Sequence, residues 1–130
     1  DTADHRRKAQ AIPGPCIPIT ETAHLRQAAA LLKHCHGFLS VDTALMHLAA
    51  AMKVPGQVVI EAPTFNPTNH PYRNPFTVVR NPVVNGRNLD YYRYDGGPIR
   101  GTDEELRRCM ASVSVDAVFA AVEKALPPGN

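Results

Sequence analysis

Residues 37–55, GFLSVDTALMHLAAAMKVP, carry the clearest indication of how the chain folds. The first five residues, GFLSV, form a short apolar run that predicts a buried strand. Asp42 and Thr43 come next, and both residue types favour the N-cap of a helix. The following residues, from Ala44 to Met52, are mostly strong helix formers. The segment therefore predicts a strand that passes directly into a helix.

Helix and strand patterns alternate on both sides of this segment. Prolines interrupt the residues before it and allow at most a short strand around Cys16–Ile19. The order of the elements predicts an α/β fold, a Rossmann-like parallel sheet with flanking helices, with three clear strands and room for a fourth. The sequence also predicts a helix from about Ala23 to Cys35, capped by Thr20 or Thr22, and strands at Gln57–Glu61 and Thr77–Arg80. Two helices follow, one from a capping box at Thr102 to Met110 and one from Val115 to about Leu126, capped by Ser114.

Length and strand number bound the domain organisation. A chain of 130 residues is long enough for one domain with one core. A complete doubly wound sheet has more strands than are found here, so we expect the C-terminal portion of a larger protein. Residues 1–19 are then an upstream linker or the end of a preceding element, residues 20–126 a partial domain, and residues 127–130 a tail.

The composition is that of a globular protein and argues against several function classes. Hydrophobic residues make up 44% of the chain and charged residues 20%, a hydrophobic content too high for a disordered protein. No apolar run is long enough for a membrane span. A net charge of +2 does not indicate nucleic acid, and the arginines among the tyrosines of residues 81–101 indicate a solvated loop. The widely spaced Cys16, Cys35 and Cys109 are typical of reduced thiols in a cytosolic protein.

No metal or cofactor site is predicted from motifs. His34 and His36 flank Cys35 at the end of a helix, where successive side chains point in different directions and do not converge on one ion. The sequence has no GxGxxG, Walker A, GxSxG or HExxH motif. We therefore expect neither a metal nor a cofactor.

The strand-to-helix junction carries the polar residues best placed to bind a ligand, because open α/β sheets bind ligands at the carboxyl ends of their strands. Thr43 and the amides of Ala44 and Leu45 could face a phosphate at the positive end of the helix dipole. Asp42 could accept hydrogen bonds from sugar hydroxyls, and His47 would point back toward the same crevice. The alternative, a plain helix cap and a histidine packed between layers, stays open.

Two further residues follow the next predicted strand. In a parallel sheet, Glu61 and Thr64 would lie at the same edge as Asp42. They are therefore additional candidates for ligand contact. The alternative is an ordinary connecting loop, and we favour the loop for every residue beyond Thr64.

The junction also resembles a family signature. The run SVDTALMHLAAAMKVP resembles the D-[ST]-G-x-x-H-[LI]-A-A-A-x-x-x-P signature of glycosyltransferase family 9, the ADP-heptose:lipopolysaccharide heptosyltransferases. Ala44 stands where that family usually has glycine. The resemblance extends in order from roughly Thr20 to Leu126, but it is specific only within this run. The matching residues are Asp42, Thr43, His47, Leu48, Ala49, Ala50, Ala51 and Pro55.

The resemblance implies a GT-B fold, two Rossmann-like domains of which the second holds most of the nucleotide-sugar donor. Asp42 would bind the donor sugar, Thr43 with the amides of Ala44 and Leu45 would hold the diphosphate, and His47 would support them. The family's catalytic acidic residue lies in the first domain, so no catalytic residue is expected in this chain.

The resemblance also implies partners and a location. The donor would be an ADP-sugar with heptose as the family default, and the acceptor a lipid-linked, lipopolysaccharide-type saccharide. The missing N-terminal domain would be a further partner, in the cytoplasm or at the inner face of the membrane with at most peripheral contact. The alternative function is a non-catalytic α/β binding or interaction module derived from the same fold.

Overall fold

A three-stranded parallel sheet lies at the centre of the molecule, with helices on both of its faces. The computed structural model describes residues 2–19, 21–63, 70–84 and 101–126. The predicted α/β class with a parallel sheet is confirmed. The elements, in chain order, are α1 (Thr2–Gln10), α2 (Leu25–Lys33), β1 (Gly37–Val41), α3 (Ala44–Ala51), β2 (Gly56–Ile60), β3 (Phe76–Val79), α4 (Asp103–Ala111) and α5 (Val115–Ala125).

The strands run in the order β1-β2-β3, so that β2 is paired on both sides. Gly37 pairs with Gly56 at the start of β1 and β2, and Gln57 pairs with Phe76 at the start of the β2–β3 pairing. The first four residues of β2 are buried, as expected for a parallel strand covered on both faces. The apolar run Val58-Val59-Ile60 suits this position because β-branched side chains pack well on a pleated surface.

The two faces of the sheet are covered by different helices. Phe38 of β1 packs against a small core of Leu32, Ala49 and Val54, so α2 and α3 lie over this face. Successive residues of a strand point to opposite faces. Gly37, next to Phe38, accordingly faces α5, which contacts all three strands.

Two glycines allow α5 to approach the amino ends of the strands closely. A Cβ added at Gly56 would lie 2.9 Å from the carbonyl oxygens of Ala125 and His36. At Gly37 the nearest atom, at 2.7 Å, is instead the Leu126 Cδ2 at the tip of a flexible side chain, and the nearest backbone atom, the Gly56 carbonyl oxygen, would be 3.1 Å away. The backbone contacts at Gly56 cannot be relieved by a side-chain rotation.

Helix α4 begins as its sequence predicts. The Thr102 hydroxyl oxygen accepts a hydrogen bond from the Glu105 amide at 3.2 Å, and the Glu105 carboxylate accepts one from the Thr102 amide at 2.8 Å. The hydrogen bond from the Thr102 amide, and a second one that the Thr102 hydroxyl donates to the same carboxylate at 2.9 Å, lower the pKa of Glu105. The capping box is therefore confirmed, and its four residues determine it locally.

Residues 16–19, where the sequence allowed at most a short strand, form none, because closely spaced prolines remove amide donors. The rest of the segment before β1 differs from the prediction in two ways. Helix α1 was not predicted, since it is polar and has no apolar stripe; its Asp4 pairs with Arg7 and Lys8 one turn further along, both at 2.6 Å. Helix α2 begins two residues later than expected.

The start of α2 shows why its predicted threonine cap is wrong. The N-cap is His24, whose side chain makes no capping hydrogen bond. The Gln27 side chain reaches back and accepts a hydrogen bond from the Ala23 amide at 2.7 Å. Thr22 therefore lies two residues before the N-cap, too early to serve the first amides of the helix.

Helix α5 has the expected bounds to within one residue, but its apolar stripe is not buried along its length. Val115 and Phe119 are 82% and 62% exposed, whereas Val118 and Val122 are half-buried. The described sheet covers the helix only in part, which the periodicity of one helix does not reveal. Predictions for Thr20, Thr64, most of residues 81–101 and the tail at 127–130 lie outside the described residues.

We predict that Gly56→Ala lowers the free energy of unfolding by about 1–3 kcal/mol, because overpacking against fixed backbone forces a shift. Urea unfolding followed by circular dichroism measures this change. Gly37→Ala is the matched control and should cost less, because the Leu126 side chain can move away. An equal or larger loss for Gly37→Ala would contradict the close packing of α5 on β2.

Candidate functional site

The three strands end together and bring distant parts of the chain to one edge. Their last paired residues are level with one another, Val41 with Ile60 and Ile60 with Val79. The next residues in the chain are therefore neighbours at the carboxyl edge of the sheet, spaced about 4.8 Å from strand to strand. These neighbours are Asp42, Glu61 and Arg80.

Thr43 is the N-cap of α3, but its side chain makes no capping hydrogen bond. Its backbone is extended, with φ −148° and ψ 167°, as is typical of an N-cap residue. The side chain is exposed. The Thr43 hydroxyl is thus not required to cap the helix, although the sequence allowed that explanation.

Ala44 occupies the first position of α3 and is exposed. Among the described residues other than glycine, only Lys53 and Arg73 have positive φ values. Ala44 therefore adopts its conformation without the left-handed backbone that would require glycine. Leu45 follows it and is also exposed, so both amides lie in the first turn, where a helix offers no carbonyl partner.

Helix α3 turns one face into the core and leaves its N-terminus at the sheet edge. Met46, Ala49 and Ala50 are buried. His47 lies four residues after Thr43, which places both on the same side of the helix, and it is half-buried. Side chains of a helix tilt toward its N-terminus, so His47 leans toward the edge that carries Asp42. Asp42 itself is half-buried.

Glu61 lies at the same edge, as expected, but its carboxylate is completely buried and bound to β3. Its Oε1 accepts a hydrogen bond from Arg80 Nη1 at 3.1 Å, and its Oε2 accepts one from the Asn81 amide at 2.8 Å. The side chain of Arg80 is 60% exposed, while that of Glu61 is 0% exposed. These contacts offset the cost of burying a charge.

Asn81 connects this edge to α4. Its Nδ2 donates to the Cys109 carbonyl at 3.0 Å, and its Oδ1 accepts from the Val83 amide at 2.9 Å and from the Ser112 hydroxyl at 3.1 Å. Asn81 is fully buried, so each of these hydrogen bonds replaces one lost to water. The network fixes the chain that leaves β3.

Cys109 is part of the same network and differs from the other two cysteines. Its thiol donates to Asn81 Oδ1 at 3.7 Å and is buried, and this burial raises its pKa. Cys16 and Cys35 are free and exposed.

Sequence reasoning did not select Arg80 or Asn81. One signal was available, an acidic residue that directly follows the apolar run of β2. A buried carboxylate needs a cation or several donors, and here the residues that follow β3 supply both. Which neighbour supplies them depends on the register of the sheet, which the sequence did not provide.

We predict that a thiol reagent modifies Cys109 about tenfold or more slowly than Cys16 and Cys35, because burial and a raised pKa both suppress its thiolate. Mass spectrometry of tryptic peptides after timed alkylation at mildly alkaline pH measures the three rates. In urea the rates should become similar, which controls for intrinsic reactivity. Rapid modification of Cys109 in the native protein would contradict the burial of its thiol against Asn81.

The fold and the edge together define a class, an α/β domain that gathers polar side chains and a helix N-terminus at the carboxyl ends of parallel strands. Such an edge is where open α/β sheets bind ligands. The family model for glycosyltransferase family 9 (heptosyltransferase) matches residues 2–92, and the chain belongs to this family. Comparisons with curated proteins and with solved structures gave no match.

The family match covers the sheet, its carboxyl edge and the three helices that precede β2. It includes α1, for which the sequence gave no signal, and it ends before α4. The three-stranded parallel sheet with its flanking helices is consistent with part of a Rossmann-like glycosyltransferase fold. None of the described helices is long and apolar enough to cross a membrane.

Proposed function

We propose that the carboxyl edge of this sheet binds the nucleotide-sugar donor of a glycosyltransferase. The observation that carries this proposal is the N-terminus of α3, where Thr43 is the cap residue but leaves its hydroxyl out of the cap. Asp42 and His47 lie beside it, and the chain belongs to a glycosyltransferase family. An exposed helix N-terminus next to a free hydroxyl suits phosphate.

Each residue then has a role that follows from its chemistry. The Thr43 hydroxyl and the amides of Ala44 and Leu45 donate hydrogen bonds to the diphosphate. The Asp42 carboxylate accepts hydrogen bonds from hydroxyls of the donor sugar, and His47 donates toward the phosphates from the next turn of α3.

The transfer itself needs groups beyond these. A base takes the proton of the acceptor hydroxyl, the acceptor oxygen forms a bond to the anomeric carbon, and the nucleoside diphosphate leaves with the bonding electrons. The edge stabilises the negative charge of that leaving group. We place the base in an N-terminal domain of the full-length protein, with residues 20–126 as the donor-binding part, 1–19 as linker and 127–130 as tail.

The substrates follow from the family by default. We propose an ADP-sugar, with heptose as its sugar, and a lipid-linked saccharide of the lipopolysaccharide type as acceptor. We propose a location in the cytoplasm or at the inner face of the membrane, where such an acceptor would be anchored. We also propose Thr64 as a further donor contact, because it follows β2 closely in the sequence.

We predict that Asp42→Ala weakens binding of an ADP-sugar to the full-length protein more than tenfold, because hydrogen bonds to a charged acceptor contribute about 1.5–3 kcal/mol each. Isothermal titration calorimetry measures the dissociation constants. Glu123→Ala is the control, since it removes an exposed carboxylate near the C-terminus of α5.

Two outcomes would change the proposal. If the unaltered full-length protein binds none of a panel of nucleotide-sugars, the edge is not a donor site. If it binds them but transfers no sugar to any saccharide acceptor, the protein is a binding module derived from the fold and not an enzyme.

A further inference from the structure

The pairing of Glu61 with Arg80 presents a cation at the ligand-binding edge. Glu61 follows the central strand and is buried, whereas Arg80 follows β3 and is mostly exposed. This exposure leaves the guanidinium accessible to a ligand at the edge. Arginine offers five N–H donors in a planar fork, and the contact with Glu61 Oε1 accounts for one nitrogen.

The register of the sheet fixes the direction in which Arg80 extends. Gln57 points to the face that α3 covers, because its Nε2 donates a hydrogen bond to the Met46 carbonyl at 2.8 Å. Paired residues of parallel strands point to the same face, so the register places Glu61 and Arg80 on this face as well. The bond to Glu61 draws the guanidinium from β3 toward β2. It therefore lies about one strand spacing, roughly 5 Å, from the level of β1.

We propose that Arg80 binds the phosphates of the donor, and that Glu61 is the residue that positions it. This inference rests on the proposed function, since it assigns a further contact within the same edge. The Arg80 fork approaches the diphosphate from the β3 side, opposite the N-terminus of α3. Planar bidentate pairing with phosphate is the interaction for which arginine is best suited.

Glu61 acts through Arg80 and does not contact the ligand. Its second oxygen accepts the Asn81 amide, which fixes the carboxylate from the other side. A carboxylate held at both oxygens keeps the guanidinium in one place before the ligand arrives, which lowers the entropy lost on binding. Glu61, selected from sequence as a donor contact, is on this account a positioning residue.

The test compares binding of ADP and of adenosine to the full-length protein by calorimetry. Arg80→Gln should weaken ADP binding about tenfold, the usual effect of losing a charged hydrogen bond, and should leave adenosine binding unchanged. Arg73→Gln is the matched control. It removes an exposed arginine just before β3, at the opposite edge of the sheet, and should leave ADP binding unchanged.

A double-mutant cycle separates positioning from folding. As a single substitution, Glu61→Gln should weaken ADP binding. Combined with Arg80→Gln, it should weaken ADP binding no further than Arg80→Gln alone. If Glu61→Gln weakens binding equally in both backgrounds, the positioning role is wrong. A thermal melt of Arg80→Gln, whose side chain is exposed, checks that this variant remains folded.

The results distinguish this proposal from the donor site itself. If Arg80→Gln leaves the affinity for ADP unchanged while Asp42→Ala lowers it, the role of Arg80 is wrong and the donor site still stands. Absence of ADP and nucleotide-sugar binding to the unaltered protein would overturn both.

Discussion

The parallel pairing of β1 and β3 with the central strand β2 is the constraint on which the site depends. Because the three strands end level with one another, Asp42, Glu61 and Arg80 meet at one edge although they are distant in sequence. The same pairing places α3 with its N-terminus at that edge. The close approach of α5, allowed by Gly56, supports the sheet from its other face.

Charge is distributed along this edge in a definite order. A helix N-terminus, an exposed threonine hydroxyl and the half-buried Asp42 carboxylate lie at the β1 side, and an arginine lies at the β3 side. Between them, Glu61 is buried and satisfied by its neighbours, so it does not repel an anion as an exposed carboxylate would. Hydrogen bonds between Asn81 and Cys109 connect the edge to α4. They fix the backbone from which the arginine side chain extends.

The sequence was sufficient where local chemistry decides the structure. β1 and its passage into α3 were predicted from an apolar run followed by helix formers, and α4 from its capping box. The start of α2 and the exposure of Phe119 were not predicted, because they depend on a glutamine side chain and on how far the sheet extends. The spacing of apolar residues within one helix predicts neither the start of α2 nor the exposure of Phe119.

The candidate site divides in the same way. Asp42, Thr43 and His47 are close in sequence and stand out in a family signature, so reading the chain was enough to select them. Arg80 and Asn81 act through a residue of another strand, and only the register of the sheet reveals them. Likewise, only the folded structure reveals the conformation of Ala44 and shows that the Thr43 hydroxyl does not cap the helix.

The central claim is that an anionic nucleotide binds at the carboxyl edge of the sheet. Nuclear magnetic resonance of isotope-labelled full-length protein during titration with ADP tests it most directly. We expect the largest shifts at the amides of Thr43, Ala44 and Leu45 and at the side chain of Arg80. Shifts confined to the opposite edge, around Arg73, or no shifts at saturating ADP, would contradict it.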